Sequence, residues 1–330
     1  MAEHPVAIVG AGPTGIACAV ELGRLGISAV CLDRGGLLDS LQHFPEEMRW
    51  FSTRDLLDIA GVPFATPDPP PTRLETLAYY RGVAERFGVP LRADTTVDRV
   101  VPRPGGGLEV EARGRSGSLR FSAPAVVLAT GFFHNPRRLF VPGADLPHVH
   151  ARYVSGYPFH GRDIVVVGGR NSAAEAALDL YRHGARVTLV HRGAALSDRV
   201  KYWVRPDLEN RIAAGAIRAH FGSRVTAIEQ DSVRVATPGG EIVLPADAVF
   251  PLIGYQPDFG LFERCGIRLE GEARVPAHDP EMLESNVPGL FLAGAIVGGA
   301  ETGRIFIENS RHHAAAIARA IERRGRPVGA

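Results

Sequence analysis

Short unbroken apolar runs punctuate this chain at intervals: Val6-Ala7-Ile8-Val9, Ala125–Leu128, Ile164–Val167, Ala248–Leu252 and Leu290–Ala293. Runs of this length without alternation read as strands buried on both faces, the condition of a parallel sheet covered by helices. Helical patterning follows several of them, over Ile16–Leu25, Leu74–Phe87, the stretch through Tyr181, and about Ile305–Arg323. One segment alternates instead, so Leu108–Ala112 with Leu119–Ser122 reads as a β-hairpin. Pro67–Pro71 breaks regular structure and reads as a surface loop. Strands that alternate with helices predict an α/β protein with parallel sheets.

Two of the strand-to-helix junctions carry glycines. After Val9 comes Gly10-Ala11-Gly12-Pro13-Thr14-Gly15. Gly10 suits a tight turn, Gly12 admits a pyrophosphate close to the backbone, and Gly15 lets helix and strand pack closely. The free amides and dipole of the helix N-terminus then favour the anion. The next strand, Ser28–Leu32, ends in Asp33, whose carboxylate is expected to accept hydrogen bonds from both hydroxyls of a ribose.

The pattern recurs after Asp163–Val167 as Gly168-Gly169-Arg170-Asn171-Ser172-Ala173. Gly168 holds the first-glycine place, and alanine is accepted at the third. Arg170 stands where the middle glycine would be, either reaching a phosphate with its guanidinium or lying solvated at a degenerate turn. The strand Ala185–Val190 then ends in His191-Arg192, with Arg199 a little further on. One loop is followed by an acid where a ribose 2′-hydroxyl belongs, the other by cations where a 2′-phosphate belongs. Two different dinucleotides follow from that contrast, FAD at the first loop and NADPH at the second.

Composition changes this picture little. The chain has 330 residues, 45% of them hydrophobic, and a formal net charge of +1. That length supports two cored domains, and the charge gives no electrostatic reason to expect nucleic acid or an anionic membrane as partner. The apolar runs are too short to span a bilayer and strand-like residues begin at Val6, so a cytoplasmic location is expected. Cys18, Cys31 and Cys265 form neither a CxxC pair nor a metal-ligand cluster, and no metal is expected. Lys201 is the only lysine in an arginine-rich chain.

Taken in order, GxGxxG, Asp33, Ala129-Thr130-Gly131, the second loop, Gly254-Tyr255-Gln256-Pro257-Asp258 and Gly289-Leu290-Phe291-Leu292-Ala293-Gly294 resemble the low-molecular-weight thioredoxin reductases and their relatives. The resemblance implies two nested Rossmann-type domains of three layers. FAD residues would be about 1–140 and 255–330, with an NADPH domain inserted over 141–254. Where those reductases carry a redox-active CxxC, this chain has Tyr153-Val154-Ser155-Gly156-Tyr157-Pro158-Phe159-His160. It is more similar to the branch of bacillithiol disulfide reductases, which lack CxxC. Leu77-Ala78-Tyr79-Tyr80-Arg81, Pro142-Gly143-Ala144-Asp145-Leu146-Pro147, Asn171-Ser172-Ala173 and Ile305-Phe306-Ile307-Glu308-Asn309-Ser310-Arg311-His312 carry that likeness. Gly294-Ala295 replaces the Gly-Asp of other relatives, as in this branch.

The resemblance places Gly294, Ala295, Phe306 and Ile307 against FAD, at the N-terminus of the last helix. Pro13, Thr14, Arg34, Gln42, Val97, Thr130 and Gly131 are also expected at FAD. Leu38–Phe51, with His43, Phe44, Trp50 and Phe51, either borders the isoalloxazine ring or packs in the core. His312 and His313 read as solvent-facing without an acid–base role. Branch members carry a cysteine where Thr14 stands here, and a hydroxyl forms no mixed disulfide. Cys18, one turn further along the same helix face, is either a displaced thiol or a core residue.

The resemblance implies an NADPH-dependent FAD enzyme of disulfide reductase type, acting on a small disulfide such as bacillithiol disulfide or on a small redox protein, in a homo-oligomer. Two other readings stay open, an electron transferase to ferredoxin or flavodoxin and a non-catalytic redox or nucleotide sensor.

Overall fold

A computed structural model describes residues 6–67 and 70–325. Asp68 and Pro69 of the expected loop lie outside the described residues; Pro67, Pro70 and Pro71 belong to no helix or strand. The chain divides into two units, 6–135 with 256–325, and Pro136–Tyr255. The division comes a few residues before the expected 140 and one after 254. Its reason is local. Asn135 donates its side-chain amide to Pro257 O (3.1 Å) and accepts from Gln256 N (3.1 Å), closing the first unit. Arg137 N donates to Gly254 O (2.9 Å), closing the second.

The first unit is built on a five-stranded parallel sheet. Its order is Leu290–Leu292, Ala125–Leu128, Val6–Val9, Ala29–Leu32, Leu91–Arg92. Val6–Val9 pairs on both sides, Val6 opposite Ala29 and Ala125, and the three longer strands are buried at every position, which is why they read as unbroken apolar runs. The helix Pro13–Arg24 follows the first strand and packs on the C-terminal helix His313–Gly325. Arg73–Arg86 is capped by Thr72, whose hydroxyl accepts from Glu75 N while the Glu75 carboxylate takes Thr72 N. The expected hairpin gains a third antiparallel strand, Thr96–Pro102.

The second unit repeats the plan. Arg218–His220, Arg186–Val190, Asp163–Val167 and Ala248–Pro251 form a parallel sheet, with Asn171–Arg182 after the second glycine loop. Arg224–Ile228, Ser232–Thr237 and Gly240–Pro245 make a further antiparallel sheet, which the sequence reading did not separate. No described helix is long and apolar enough to cross a membrane.

One expected element is corrected. The helix expected over about Ile305–Arg323 is two helices, Ile307–Ser310 and His313–Gly325. Ser310 donates its hydroxyl back to Phe306 O (2.6 Å), a bond that bends helices. Arg311 then reaches out to Asp58 and Asp55 O, and the His313 ring turns inward. Phe306 and Ile307 therefore stand at a four-residue helix, and the long helix begins at His313.

Candidate functional site

The two glycine loops have the same internal geometry. Gly10 has φ +109°, donates its amide to Leu32 O (2.8 Å), and approaches Ala129 so closely that a Cβ would lie 2.5 Å from Ala129 O. Gly168 has φ +153°, donates to Val190 O (3.0 Å), and would place a Cβ 2.5 Å from Leu252 O. Each glycine is thus locked between two neighbouring strands, where no side chain fits. At Gly15 a Cβ would meet Gly10 O at 2.0 Å, the close helix–strand approach expected of the third glycine. Gly12 differs: nothing lies within 4 Å of where its Cβ would be. The loop is open on the side where a pyrophosphate is expected.

Both loop helices begin without a side-chain cap and without an acid in the first turn, so their leading amides stay available to an anion. In the first unit an open cleft runs along the carboxyl ends of the strands, lined by Gly10, Asp33, Arg34, Val97, Thr130 and others. The Thr130 hydroxyl on its wall is buried with no hydrogen-bond partner, as a group awaiting a ligand would be. Gly131 follows with φ +63°.

Asp33 lines the cleft but is also held by the protein. One carboxylate oxygen accepts Ala11 N (2.8 Å) and the other Gly35 N (3.0 Å). Each oxygen keeps a second acceptor site, so a ribose shares this carboxylate with the backbone and does not have it to itself. Burial raises the Asp33 carboxyl above its ordinary value, and the two amides pull it back. Asp258, the last residue of the Gly254–Asp258 motif, also lines the cleft, as do Ser40, Thr95 and His134, which no motif signals because they converge from separated segments.

Gln42 bonds within its own loop, its amide donating to Leu37 O (2.9 Å), and is not among the cleft-lining residues. In the Leu38–Phe51 segment Phe44 packs edge-on to Phe133 (4.2 Å between ring centres) and near Trp50 (5.8 Å), while Phe51 meets Phe306 (5.5 Å). Gly294, at φ +80°, lies against Thr14, whose Oγ1 is 2.8 Å from where a Gly294 Cβ would be. Its amide donates to Nδ1 of His313 (3.1 Å). His313 is therefore buried, contrary to the solvent-facing reading, while His312 is exposed. Burial, with His312 and His278 adding to it, pushes the His313 ring down to about 4 and keeps it a neutral acceptor. Ala295 continues from Gly294 in a short 3-10 turn.

Cys18 is fully buried, as are Cys31 and Cys265. Burial raises all three thiols, Cys31 to about 12 and Cys265 to about 11, with Cys18 higher still.

In the second unit His191-Arg192 directly follows the strand Arg186–Val190, the place Asp33 occupies in the first. Arg192, Arg199, Arg170 and Ser172 are exposed. The His191 ring is wedged between two glycines; a Cβ on Gly169 would fall 2.3 Å from it and one on Gly193 2.7 Å. Burial, Arg192 and Arg170 lower the pKa of His191, which works against the cationic form expected of it. The Asn171 side chain is turned onto the loop that carries Arg199, accepting Lys201 N (2.9 Å) and donating to Arg199 O (3.1 Å).

Two parallel sheets, each with a glycine loop opening a helix beside the end of the next strand, define a protein that binds two nucleotides through two Rossmann-type folds. The family model described as pyridine nucleotide-disulphide oxidoreductase matches residues 7–294, and the chain belongs to that family; it is an oxidoreductase. It is similar to the bacilliredoxin reductase Bdr of Bacillus subtilis (strain 168), 34% identical over 98% of this chain and 99% of that one. Among solved structures it resembles the bacillithiol disulfide reductase Bdr of Bacillus cereus, at 35% identity and TM-score 0.95 over 98% of this chain and all of the other. The Staphylococcus aureus enzyme of the same name follows at 30% identity and TM-score 0.94, over 99% and 100%.

Proposed function

We propose that this protein uses NADPH and FAD to reduce a low-molecular-weight disulfide of the bacillithiol type. The observation that carries the reading is the contrast between Asp33 and Arg192 with Arg199 at equivalent strand ends of two repeated folds. The acid suits the ribose of FAD, and the arginines suit the 2′-phosphate of NADPH. Similarity to the Bdr proteins supplies the substrate class.

The overall reaction takes NADPH, a proton and one disulfide to NADP⁺ and two thiols. FAD, when bound, supplies the two-electron relay between nicotinamide and disulfide. The chain's own residues bind and orient. Gly10, Gly12, Pro13 and Gly15 form the diphosphate cradle at the helix N-terminus, Asp33 takes the ribose, and Thr130 offers its unpartnered hydroxyl. The His313 ring accepts the Gly294 amide and fixes the turn facing Thr14. All three thiols are buried and held protonated, so no cysteine of this chain attacks the substrate, and the disulfide is reduced without a mixed disulfide to the protein.

Steady-state NADPH oxidation with bacillithiol disulfide, run on wild type, Thr14→Cys and Cys18→Ala, tests this reading. Wild type and Cys18→Ala should both turn over. A wild-type flavin that NADPH bleaches but bacillithiol disulfide does not reoxidise, with turnover gained in Thr14→Cys, would show that a loop thiol is required. Turnover only on ferredoxin or flavodoxin would replace the disulfide with an electron-transfer partner.

A further inference from the structure

The loop that carries Arg199 is tied to the second glycine loop at several points. Ser197 N donates to Gly169 O (3.1 Å), and Arg199 N donates to the Ser197 hydroxyl (3.3 Å). Leu196 and Val200 are buried in the unit's core on either side of the arginine. Lys201, the chain's only lysine, ion-pairs with Glu175 on the helix Asn171–Arg182 at 2.6 Å. The Asn171 amide closes the arrangement. As the first residue of that helix it grips the backbone on both sides of Val200, the residue after Arg199, taking Lys201 N and giving to Arg199 O. Each polar atom of Asn171 thus holds this loop with one bond and keeps a second bonding site.

We propose that Asn171 is a positioning residue for nucleotide choice, a two-point clamp that holds the Arg199 loop against the helix N-terminus so that a 2′-phosphate is met by an arginine on an ordered backbone. This rests on the NADPH reading given above. An arginine on a free loop must have its backbone as well as its side chain ordered on binding, whereas one on a splinted loop loses only side-chain freedom. Removing the clamp should therefore cost affinity only for the nucleotide that carries the 2′-phosphate.

The test is calorimetric titration of the FAD-loaded protein with NADP⁺ and NAD⁺, for wild type, Asn171→Ala, Arg199→Ala and the double variant. Asn171→Ala should weaken NADP⁺ by about five- to tenfold and NAD⁺ by less than about twofold. In the Arg199→Ala background the same change should alter NADP⁺ binding by less than about twofold, since the clamp then has nothing to position. Amide exchange at Lys201 should accelerate in Asn171→Ala without nucleotide present. If the alanine variant does not accumulate folded, Asn171→Ser serves, because its hydroxyl is too short to reach both partners. An NADP⁺ preference kept intact by Asn171→Ala overturns the inference, as does an equal loss for both nucleotides, or a loss that persists without Arg199. Wild type that binds both nucleotides alike, or Arg199→Ala that leaves their ratio untouched, overturns the NADPH reading itself.

Discussion

Gly12 and Gly15 are three residues apart in one loop, yet substitution should act on them through different physics. Gly12 has an ordinary extended backbone and open space beyond it, so the fold accommodates a side chain there. Gly12→Val should give a protein that unfolds at nearly the wild-type temperature but purifies without flavin absorbance, because only the diphosphate is displaced. At Gly15 even a methyl would collide with Gly10 O, and loss of the fold itself is expected. Arg192→Ala should weaken NADPH roughly ten- to a hundredfold, the loss of one charge-assisted contact, and leave NADH almost unchanged; equal loss for both nucleotides would place this arginine elsewhere. His313 gives the stability a pH dependence of known sign. Its folded value of about 4 lies below the ordinary histidine value of 6.5. The unfolded chain takes up this proton first, so the stability is whole above about pH 6.5 and is lost as pH falls toward 4. Urea unfolding at pH 6.5 and pH 5 should differ by roughly 1.5 kcal/mol more in wild type than in His313→Asn.

Elements were legible wherever one rule governed them. Val6–Val9 and Asp163–Val167 are buried at nearly every position, and unbroken apolar sequence is all that such strands need. The helix Arg73–Arg86, expected over Leu74–Phe87, forms although its apolar residues share no single face, Leu74 being exposed and Tyr80 buried; Thr72 and Glu75 cap it. Thr72→Ala should lower stability by about 1 kcal/mol, with Thr72→Ser close to wild type, as urea midpoints would show. The break at Arg311–His312 was not legible, because no Gly or Pro stands between Glu308 and Ala316 to mark it. What stops the helix is a hydroxyl folding back on Phe306 and a histidine drawn beneath Gly294, which is nineteen residues earlier. The same limit hid the cleft residues Ser40, Thr95 and His134, which only the fold brings together. The charge of His191 was not legible for a related reason, since it depends on the two arginines and two glycines about it.

At the scale of the whole chain, the internal repeat was visible in sequence, and the structure makes it a repeat of geometry. Residues 136–255 leave and rejoin the first unit at adjacent points, Asn135 and Gln256 being hydrogen-bonded to each other. Each unit has its own buried clusters. Replacing 136–255 by a short glycine-serine linker should therefore leave a folded flavoprotein that retains FAD and has lost NADP⁺ binding. Residues 136–255 expressed alone should fold and bind NADP⁺ without flavin, which thermal melting and titration would detect. Failure of either piece to fold would mean that the two cores depend on one another.

The strand Leu290–Leu292 pairs with Ala125–Leu128, although more than 160 residues separate them. On the ribosome, the whole of 136–255 emerges before that partner is made. The inner unit can finish first, while Ala125–Leu128 waits with one apolar edge unpaired. A nascent chain that stalls or is cut before Leu290 would carry this bare edge, a template for pairing with other chains. Completion of synthesis, and not only sequence, thus decides whether the first sheet closes on itself or on a neighbour.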